Sequence, residues 1–211
     1  MANDSKRGLS GANRRAGQRS GKKKPLPVGQ VRIIAGDWRG RKLPVIDAEG
    51  LRPTGDRVRE TVFNWLQMQI PGCDCLDLFA GSGALGLEAA SRGAQNVVLI
   101  EASVAVAASL KNTLISLQAD ESVRVLNMRA ADYLKSSDAH FDIVFIDPPF
   151  SQHLHLETLE MLVASHLQPD ALVYLELPTN QKQLLEQLPP SLTVHKERRF
   201  GDVSVYLFRF Q

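Results

Sequence analysis

The sequence predicts an α/β protein in which a seven-stranded, mostly parallel sheet carries helices on both faces. Short apolar runs alternate with helical segments from residue 73 onward, as expected for parallel strands joined by crossover helices. A glycine-rich turn follows the first of these strands, where open α/β sheets bind ligands. Only Arg198–Asp202 joins the last two strands, which is too short for a parallel crossover, so the sheet should end in an antiparallel hairpin.

Length and composition favour one large domain with a small extension. The chain has 211 residues, of which 44% are hydrophobic. Cys73 and Cys75 are its two cysteines, which excludes a disulfide-stapled secreted fold, and we expect them to be buried and to bind no metal. No apolar run approaches the roughly 20 residues that cross a bilayer, and no apolar segment follows the basic N-terminus, so we predict a cytoplasmic protein.

The net charge of +2 conceals an uneven distribution along the chain. Residues 1–42 hold 12 Lys and Arg against two acidic side chains, whereas the other 169 residues hold 13 basic and 21 acidic side chains. A basic segment on an acidic body is typical of proteins that bind a polyanion. We predict that residues 1–30 form a disordered basic arm that contacts nucleic-acid phosphates, although a solvated tail fits the same composition.

Residues 31–70 are predicted to form an N-terminal extension. Val31–Ala35 and Arg41–Ile46 are the strands of a predicted hairpin around Gly36–Gly40. A helix should run from a Thr54 cap to about Gln69, with its apolar side in the core. Trp38 can stack on a base or act as a packing anchor, and both interpretations stay open. The basic side chains around this tryptophan are Arg32, Arg39, Arg41 and Lys42.

Residues 71–211 are predicted to form the main domain, with strands alternating with helices. The predicted strands are Cys75–Phe79, Asn96–Ile100, Val123–Asn127, Phe141–Ile146, Ala171–Glu176, Leu192–Glu197 and Val203–Arg209. The predicted helices cover residues 84–93, 103–118, 153–167 and 180–188. His153 and His155 should lie at a solvated helix start, and no arrangement of the histidines suggests a site.

Gly81, Gly83 and Gly86 form a GxGxxG pattern directly after the first strand of the main domain. Glycines there permit a tight turn whose N–H groups face a ligand. Glu101 follows the next strand, twenty residues after Gly81, and its carboxylate can accept both hydroxyl protons of a ribose. The pattern therefore predicts an adenosine-containing ligand and leaves NAD and S-adenosylmethionine both open. Asp77, just before the loop, favours a cationic amino-acid group over a pyrophosphate.

A second motif, Asp147-Pro148-Pro149-Phe150, follows the fourth predicted strand of the main domain. Its prolines stiffen the turn and remove two N–H donors, so the carbonyls face outward. The Asp147 carboxylate and the Pro148 carbonyl can then accept both protons of one exocyclic amino group while Phe150 stacks on its ring. Two fixed acceptors localise the nitrogen lone pair and stabilise the charge that develops on nitrogen. A simple strand terminus is the alternative.

The pairing of Asp77–Gly83 with Asp147–Phe150 resembles class I S-adenosylmethionine-dependent amino-methyltransferases. The upstream segments Arg32–Gly36, Gly40–Leu43 and Arg52–Glu60 extend the likeness. From about residue 31 to the C-terminus, the order of motifs resembles the ribosomal RNA small subunit methyltransferase D family, which methylates guanine N2 in 16S rRNA. The resemblance implies a Rossmann-like class I methyltransferase fold, S-adenosylmethionine as cofactor, 16S rRNA within a small-subunit particle as substrate, and a monomer without a metal.

The resemblance also implies a role for each candidate residue. The cofactor-binding residues would be Asp77, Phe79, Gly81, Ser82, Gly83, Glu101, Ala102, Ala131 and Asp132. The target guanine would be held by Asp147, Pro148, Pro149 and Phe150. The RNA-contacting residues would be Arg32, Trp38, Arg39, Arg41, Lys42, Arg52, Thr54, Arg57 and Arg59. An ion pair with Glu60 is the structural alternative for one of these arginines.

Three other functions stay open at this point. Adenine-N6 methylation of DNA or RNA is the nearest, because Asp-Pro-Pro-Phe also occurs in adenine methyltransferases. An NAD-dependent oxidoreductase would use the glycine loop and Glu101 but would gain nothing from the proline-rigidified turn. An RNA-binding assembly factor with a vestigial pocket would have no need of complete motifs.

Overall fold

The computed structural model describes residues 27–46, 55–149 and 154–211. Most of the predicted basic arm therefore lies outside the described residues, as do Arg52, Thr54, Phe150 and His153. No helix within these three ranges is long and apolar enough to cross a membrane.

A two-stranded hairpin and a helix precede the main sheet. The hairpin pairs β1 (Pro27–Arg32) with β2 (Lys42–Ile46), and β1 begins four residues before the predicted start. Helix α1 (Asp56–Leu66) follows Gly55, which occupies the N-cap position in place of the predicted Thr54. The helix places its apolar side in the core, as predicted: Val62 and Leu66 are buried there, and Phe63 is buried as well.

The main domain alternates strands and helices. Its strands are β3 (Asp74–Asp77), β4 (Asn96–Ile100), β5 (Val123–Leu126), β6 (Phe141–Ile146), β7 (Leu167–Pro178), β8 (Leu192–Phe200) and β9 (Val203–Phe210). Its helices are α2 (Gly86–Ser91), α3 (Val104–Leu117), α4 (Ala130–Ser136) and α5 (His155–Ser165). A 3-10 helical segment, Thr179–Gln187, lies where a helix over residues 180–188 was predicted.

The seven strands from β3 onward form one sheet in the order β5-β4-β3-β6-β7-β9-β8. Strands β3 to β7 pair in parallel, and β9 pairs antiparallel with both β7 and β8. The predicted architecture is therefore confirmed. The chain reverses its direction of winding between β3 and β6, and such a switch point opens a crevice at the carboxyl ends of the strands.

Two hydrophobic clusters cover the two faces of this sheet. One contains Phe145 and Tyr174 and packs against the hairpin and helices α1 to α3. The other contains Val144 and Val173 and packs against α4 and α5. Consecutive residues of β6 and β7 thus point to opposite faces, as the pleat of a strand requires. Cys73 and Cys75 are both free and buried in the first cluster, as predicted.

Two features of the main domain differ from the prediction. Helix α4 was not predicted, because its seven residues bury only Ala130, Tyr133 and Leu134, too few to establish a helical period. Strand β7 begins at Leu167, four residues early, because its pairing with β6 continues across an irregularity at which Asp170 adopts a φ of 63°. Pro169 in this stretch made an uninterrupted strand improbable from sequence.

Candidate active site

The glycine loop lies in the crevice at the carboxyl end of β3. Gly81 and Gly83 have φ angles of 51° and 79°, in the left-handed region that glycine adopts without strain. A Cβ at Gly83 would lie 2.7 Å from the Leu87 side chain and 2.8 Å from the Leu110 side chain. The loop therefore needs glycine at this position both for its backbone angle and for space.

Asp77 lies directly beneath this loop and is only 1% exposed. Its carboxylate accepts hydrogen bonds from the Gly86 N–H at 3.0 Å and the Phe79 N–H at 3.4 Å. Burial raises the pKa of Asp77 to about 7, an effect that these hydrogen bonds oppose and that the charges of Asp147 and Glu101 reinforce. Asp77 thus holds the two ends of the loop, and a nearby cation would stabilise its charged form.

Glu101 borders the same crevice from the end of β4. Its Oε2 accepts a hydrogen bond from Gly81 N–H at 3.0 Å, and its Oε1 accepts one from Ser103 N–H at 2.7 Å. The side chain is half-buried, and burial raises its pKa. Each carboxylate oxygen has a second lone pair, so both can still accept a ligand hydroxyl. Asn127 fixes the adjoining backbone by donating to the carbonyls of Glu101 and Ala102.

The Asp-Pro-Pro turn begins directly after β6, next to the glycine loop. Asp147 is partly exposed and Pro148 is buried. Strand β6 lies between β3 and β7, with Phe145 opposite both Asp77 and Tyr174, so Asp147 follows two residues beyond that level. The charge of Asp147 raises the pKa values of both Asp77 and Tyr174. The turn therefore lies beside the cofactor-type loop, and its role as an acceptor stays a prediction. The predicted stacking of Phe150 on the target base involves a residue outside the described ranges.

Glu176, two residues before the end of β7, was not among the predicted site residues. The residue is 8% exposed, and its Oε2 accepts a hydrogen bond from the Tyr174 hydroxyl at 3.0 Å. His155 Nε2 lies 3.2 Å from the Glu176 carbonyl oxygen. The prediction that His155 is solvated is therefore wrong, because this helix start packs against β7 and leaves the ring 1% exposed. A glutamate ending an otherwise apolar strand was the available signal.

Comparison with known proteins identifies the family. A family model described as "Conserved hypothetical protein 95" matches residues 31–209. The ribosomal RNA small subunit methyltransferase D of Haemophilus influenzae is 46% identical over 189 residues, which cover 88% of this chain and 96% of that protein. The chain belongs to the methyltransferase D family. This confirms the resemblance predicted from the motifs and shows that the protein is a methyltransferase.

Solved structures agree with this membership. An Escherichia coli structure described as the putative methyltransferase yhhF superposes with a TM-score of 0.80 at 44% identity, covering 87% of this chain and 99% of that one. The Thermus thermophilus 16S rRNA N2 G1207 methyltransferase, in complex with AdoMet and guanosine, gives a TM-score of 0.68 at 22% identity. The superposition covers 87% of this chain and 50% of the Thermus thermophilus chain. At 22% identity, it shows that the two proteins share a fold.

The site of this methyltransferase D family member fits S-adenosylmethionine. The glycines let the loop turn tightly at the carboxyl end of β3, where backbone N–H groups can face a ligand. Glu101 offers acceptors suited to a ribose, and the buried Asp77 would be stabilised by a cationic amino group. Phe79 and Ser82 follow β3, Ala102 follows β4, and Ala131 and Asp132 lie in the first turn of α4. All five are half-buried or exposed.

The predicted RNA-contacting residues that the structure describes fall into two groups, exposed and partly or fully buried. Arg32, Arg39, Arg41, Lys42 and Arg57 are exposed. One of them, Arg41, donates from Nη2 to the Ser116 carbonyl on α3. Trp38 is half-buried against the first core cluster, and its backbone N–H donates to Ser91 Oγ, which favours packing over base stacking.

Arg59 does not fit the predicted role in RNA binding. Its side chain is completely buried, and Nη2 donates to Asp56 Oδ1 at 2.6 Å and to the Arg32 carbonyl at 2.9 Å. Nη1 lies 3.7 Å from Glu88 Oε2. The prediction is wrong because the arginine neutralises a buried carboxylate beneath the hairpin. Its ionic partners are Asp56 and Glu88, in place of the Glu60 considered from sequence.

Glu88 and Ser91 on α2 make structural contacts that were not predicted from the sequence. Glu88 is 0% exposed and accepts hydrogen bonds from the backbone N–H groups of Ile34 at 2.7 Å and Ala35 at 3.0 Å. Ser91 Oγ donates to the Ala35 carbonyl at 2.6 Å. These contacts attach the basic hairpin to the helix that continues from the glycine loop. A charged residue in the small apolar helix α2 was the only signal.

Proposed function

We propose that the protein transfers a methyl group from S-adenosylmethionine to the exocyclic N2 of a guanine in 16S rRNA. The observation that carries the proposal is the Asp147-Pro148 acceptor turn beside the glycine loop at the switch point of the sheet. Family membership supports methyl transfer to small-subunit rRNA, because the relatives carry that activity in their names. The choice of guanine N2 rests on the family resemblance of the motif.

The residues of the turn would activate the amine by fixing its protons. The guanine N2 lone pair is delocalised into the ring, which makes the nitrogen a poor nucleophile. Acceptance of its two protons by the Asp147 carboxylate and the Pro148 carbonyl would draw the amine out of the ring plane. Asp147 would also stabilise the positive charge that develops on nitrogen as the new bond forms. S-adenosylmethionine supplies a methyl carbon activated by its sulfonium, so direct in-line transfer needs no covalent enzyme intermediate.

The rest of the chain would bring the base to this turn. A stacked guanine must leave its stack to enter the crevice, at a cost of a few kcal/mol. The exposed basic residues of the hairpin would offset that cost through phosphate contacts. We further propose that the enzyme works as a cytoplasmic monomer on the rRNA of a small-subunit particle.

Asp147→Ala tests the role of the acceptor turn. We expect methyl transfer to fall by at least about a hundredfold, because one of two fixed acceptors is lost. Binding of S-adenosylmethionine, measured by calorimetry, should persist. Transfer retained at the wild-type rate would contradict the role of Asp147 in activating the amine, and loss of cofactor binding would place Asp147 in the cofactor site.

Nucleoside analysis of the labelled product tests the target base. Small-subunit particles from cells that lack the enzyme are methylated with labelled S-adenosylmethionine and digested. We expect the label in N2-methylguanosine. Label in N6-methyladenosine would favour adenine methylation, the alternative that the same motif allows.

Membership in a methyltransferase family excludes the NAD-dependent oxidoreductase interpretation.

A further inference from the structure

The end of β7 brings Glu176 alongside the acceptor turn. In the parallel pairing of β6 with β7, Ile146 lies opposite Leu175, so Asp147 and Glu176 follow at the same level. Neighbouring strands lie about 4.8 Å apart. The rings of Phe145 and Tyr174 contact each other at a centroid distance of 6.1 Å on one face of the sheet. By the alternation of side chains, Glu176 projects to the same face as Tyr174, whose hydroxyl donates to its carboxylate, and the charge of Asp147 also acts on Tyr174.

Contacts with Tyr174 and His155 help to hold Glu176 in position. The Tyr174 hydroxyl donates to its carboxylate at 3.0 Å, and His155 Nε2 lies 3.2 Å from its backbone carbonyl. The Tyr174 hydroxyl is itself buried, and burial and the charge of Glu176 both raise its pKa, so it stays a donor. Burial of a glutamate costs free energy that packing alone does not recover. Such an oriented carboxylate at a ligand crevice suggests a role in recognition.

The donor pattern of guanine matches a second carboxylate beside the amine site. On the Watson–Crick edge of guanine, the N2 amino group is adjacent to N1–H, so both positions donate. On the same edge of adenine, the N6 amino group is adjacent to N1, which carries a lone pair and accepts. A carboxylate is an acceptor only, so it attracts guanine N1–H and repels adenine N1.

We propose that Glu176 selects guanine over adenine by accepting the N1–H hydrogen bond while the N2 amino group lies against Asp147 and Pro148. Glu176 is then a specificity residue, and Tyr174 is the positioning residue that orients its carboxylate. This inference rests on the proposed function, because it needs a guanine whose N2 lies at the acceptor turn. It explains how a turn that suits any exocyclic amine would discriminate between the two purines.

The test replaces the target base with one that keeps the amine and changes its neighbour. 2,6-Diaminopurine has the N2 amino group of guanine, but its N1 is an acceptor and an amino group replaces O6, so only product methylated at N2 is counted. Once the methylated guanine is mapped, particles are reconstituted with rRNA that carries either base at that position. For the wild-type enzyme, we expect kcat/KM to be about 10- to 100-fold lower with diaminopurine, because a charge-assisted hydrogen bond becomes a repulsion.

Glu176→Gln should reduce this preference for guanine to within a few-fold, because the amide can donate to the diaminopurine N1. Tyr174→Phe should change the preference in the same direction by less, since it removes only the orienting hydroxyl. Glu157→Gln, at an exposed position of α5, is the matched control and should keep the wild-type preference. A purely structural role would lower the rates with both bases by the same factor.

Two results separate failure of this inference from failure of the proposed function. If the wild-type enzyme methylates guanine N2, and both the Glu176→Gln and Tyr174→Phe enzymes keep the wild-type ratio of rates, the inference is overturned. If the wild-type enzyme labels no guanine in the particle, the proposed function itself fails.

Discussion

At the scale of single residues, the site combines groups whose environments change their proton affinity. Asp77 is the clearest case, because burial raises its pKa from 3.8 to about 7. Between pH 3.8 and about pH 7, the Asp77 carboxyl group is protonated in the folded protein and ionised in the unfolded chain. The contribution of Asp77 to the free energy of unfolding is therefore favourable at low pH and is lost as pH rises through about 7. A cation bound nearby would lower the pKa and recover that stability.

Binding of S-adenosylmethionine should therefore depend on the protonation of Asp77. Below about pH 7 the free carboxyl is protonated, and a cationic amino group beside it would release that proton. We expect the affinity for S-adenosylmethionine to rise by up to about tenfold per pH unit toward pH 7 and then to level off. Calorimetry at about pH 6 in two buffers of different ionisation enthalpy counts the protons released.

Asp77→Asn should lower this proton release, and Asp138→Asn, at an exposed loop position, should leave it unchanged. Glu101 also has a raised pKa and borders the crevice, so the difference between wild type and Asp77→Asn isolates the contribution of Asp77. Equal proton release by the wild-type and Asp77→Asn proteins would show that Asp77 does not face the cation.

At the scale of elements, the buried charges of α2 determine how the hairpin is attached. The Glu88 carboxylate accepts hydrogen bonds from the backbone N–H groups of Ile34 and Ala35 and from Arg92 Nε at 2.7 Å. Its Oε2 also lies 3.7 Å from Arg59 Nη1. Removal of one partner leaves buried charge uncompensated, which costs more than the ion pair contributes. Gly36 completes the contact, since a Cβ there would lie 1.7 Å from the Ser91 carbonyl oxygen.

Glu88→Gln should destabilise the protein through this attachment. We expect the free energy of unfolding to fall by about 3 kcal/mol, because the Arg59 guanidinium loses a charged neighbour in a fully buried site. Denaturant unfolding measures the change. The matched control is Glu60→Gln on the exposed side of α1, which should change stability by less than about 0.5 kcal/mol. An equal effect of both substitutions would argue against a hairpin held by buried charge.

Elements that are contiguous in the chain could be predicted from the sequence, whereas contacts between distant residues could not. The sheet strands β3 to β9 were foreseen because apolar β runs separated by turns are local signals. The glycine loop and the acceptor turn were foreseen because each is contiguous in the chain. Glu88 and Glu176 were not, because each is a single charge within an apolar segment. The backbone partners of Glu88, Ile34 and Ala35, lie 54 and 53 residues away in the sequence. Glu176 lies near the acceptor turn only because β7 pairs with β6.

At the scale of the whole molecule, charge is distributed so that the hairpin and the crevice have opposite signs. Arg32, Arg39, Arg41 and Lys42 are exposed on the hairpin, whereas Asp77, Glu101, Asp147 and Glu176 lie near the carboxyl ends of the strands that form the crevice. A polyanion would therefore be attracted to the hairpin and repelled from the acidic crevice. Only a single extruded base, which carries donors and no phosphate charge of its own, would suit the crevice electrostatically.

Removal of basic side chains from the hairpin should weaken RNA binding in a salt-dependent way. Each Lys or Arg that neutralises a phosphate contributes about 0.7 to 0.9 to the slope of log affinity against log salt concentration. For the double substitution Arg39→Gln and Lys42→Gln, we expect the slope to decrease by about 1.5 and the affinity for small-subunit rRNA to fall. Filter binding over a range of salt concentrations measures both quantities.

Lys135→Gln is the matched control, because this exposed lysine lies on α4, which packs against the opposite face of the sheet. The control should keep the wild-type slope. Binding of S-adenosylmethionine should be the same in both variants, since neither changes the crevice. If the hairpin variant lost affinity without a change of slope, the hairpin would act through shape and not through phosphate charge. An unchanged affinity would leave the basic arm, or another face, as the RNA-binding surface.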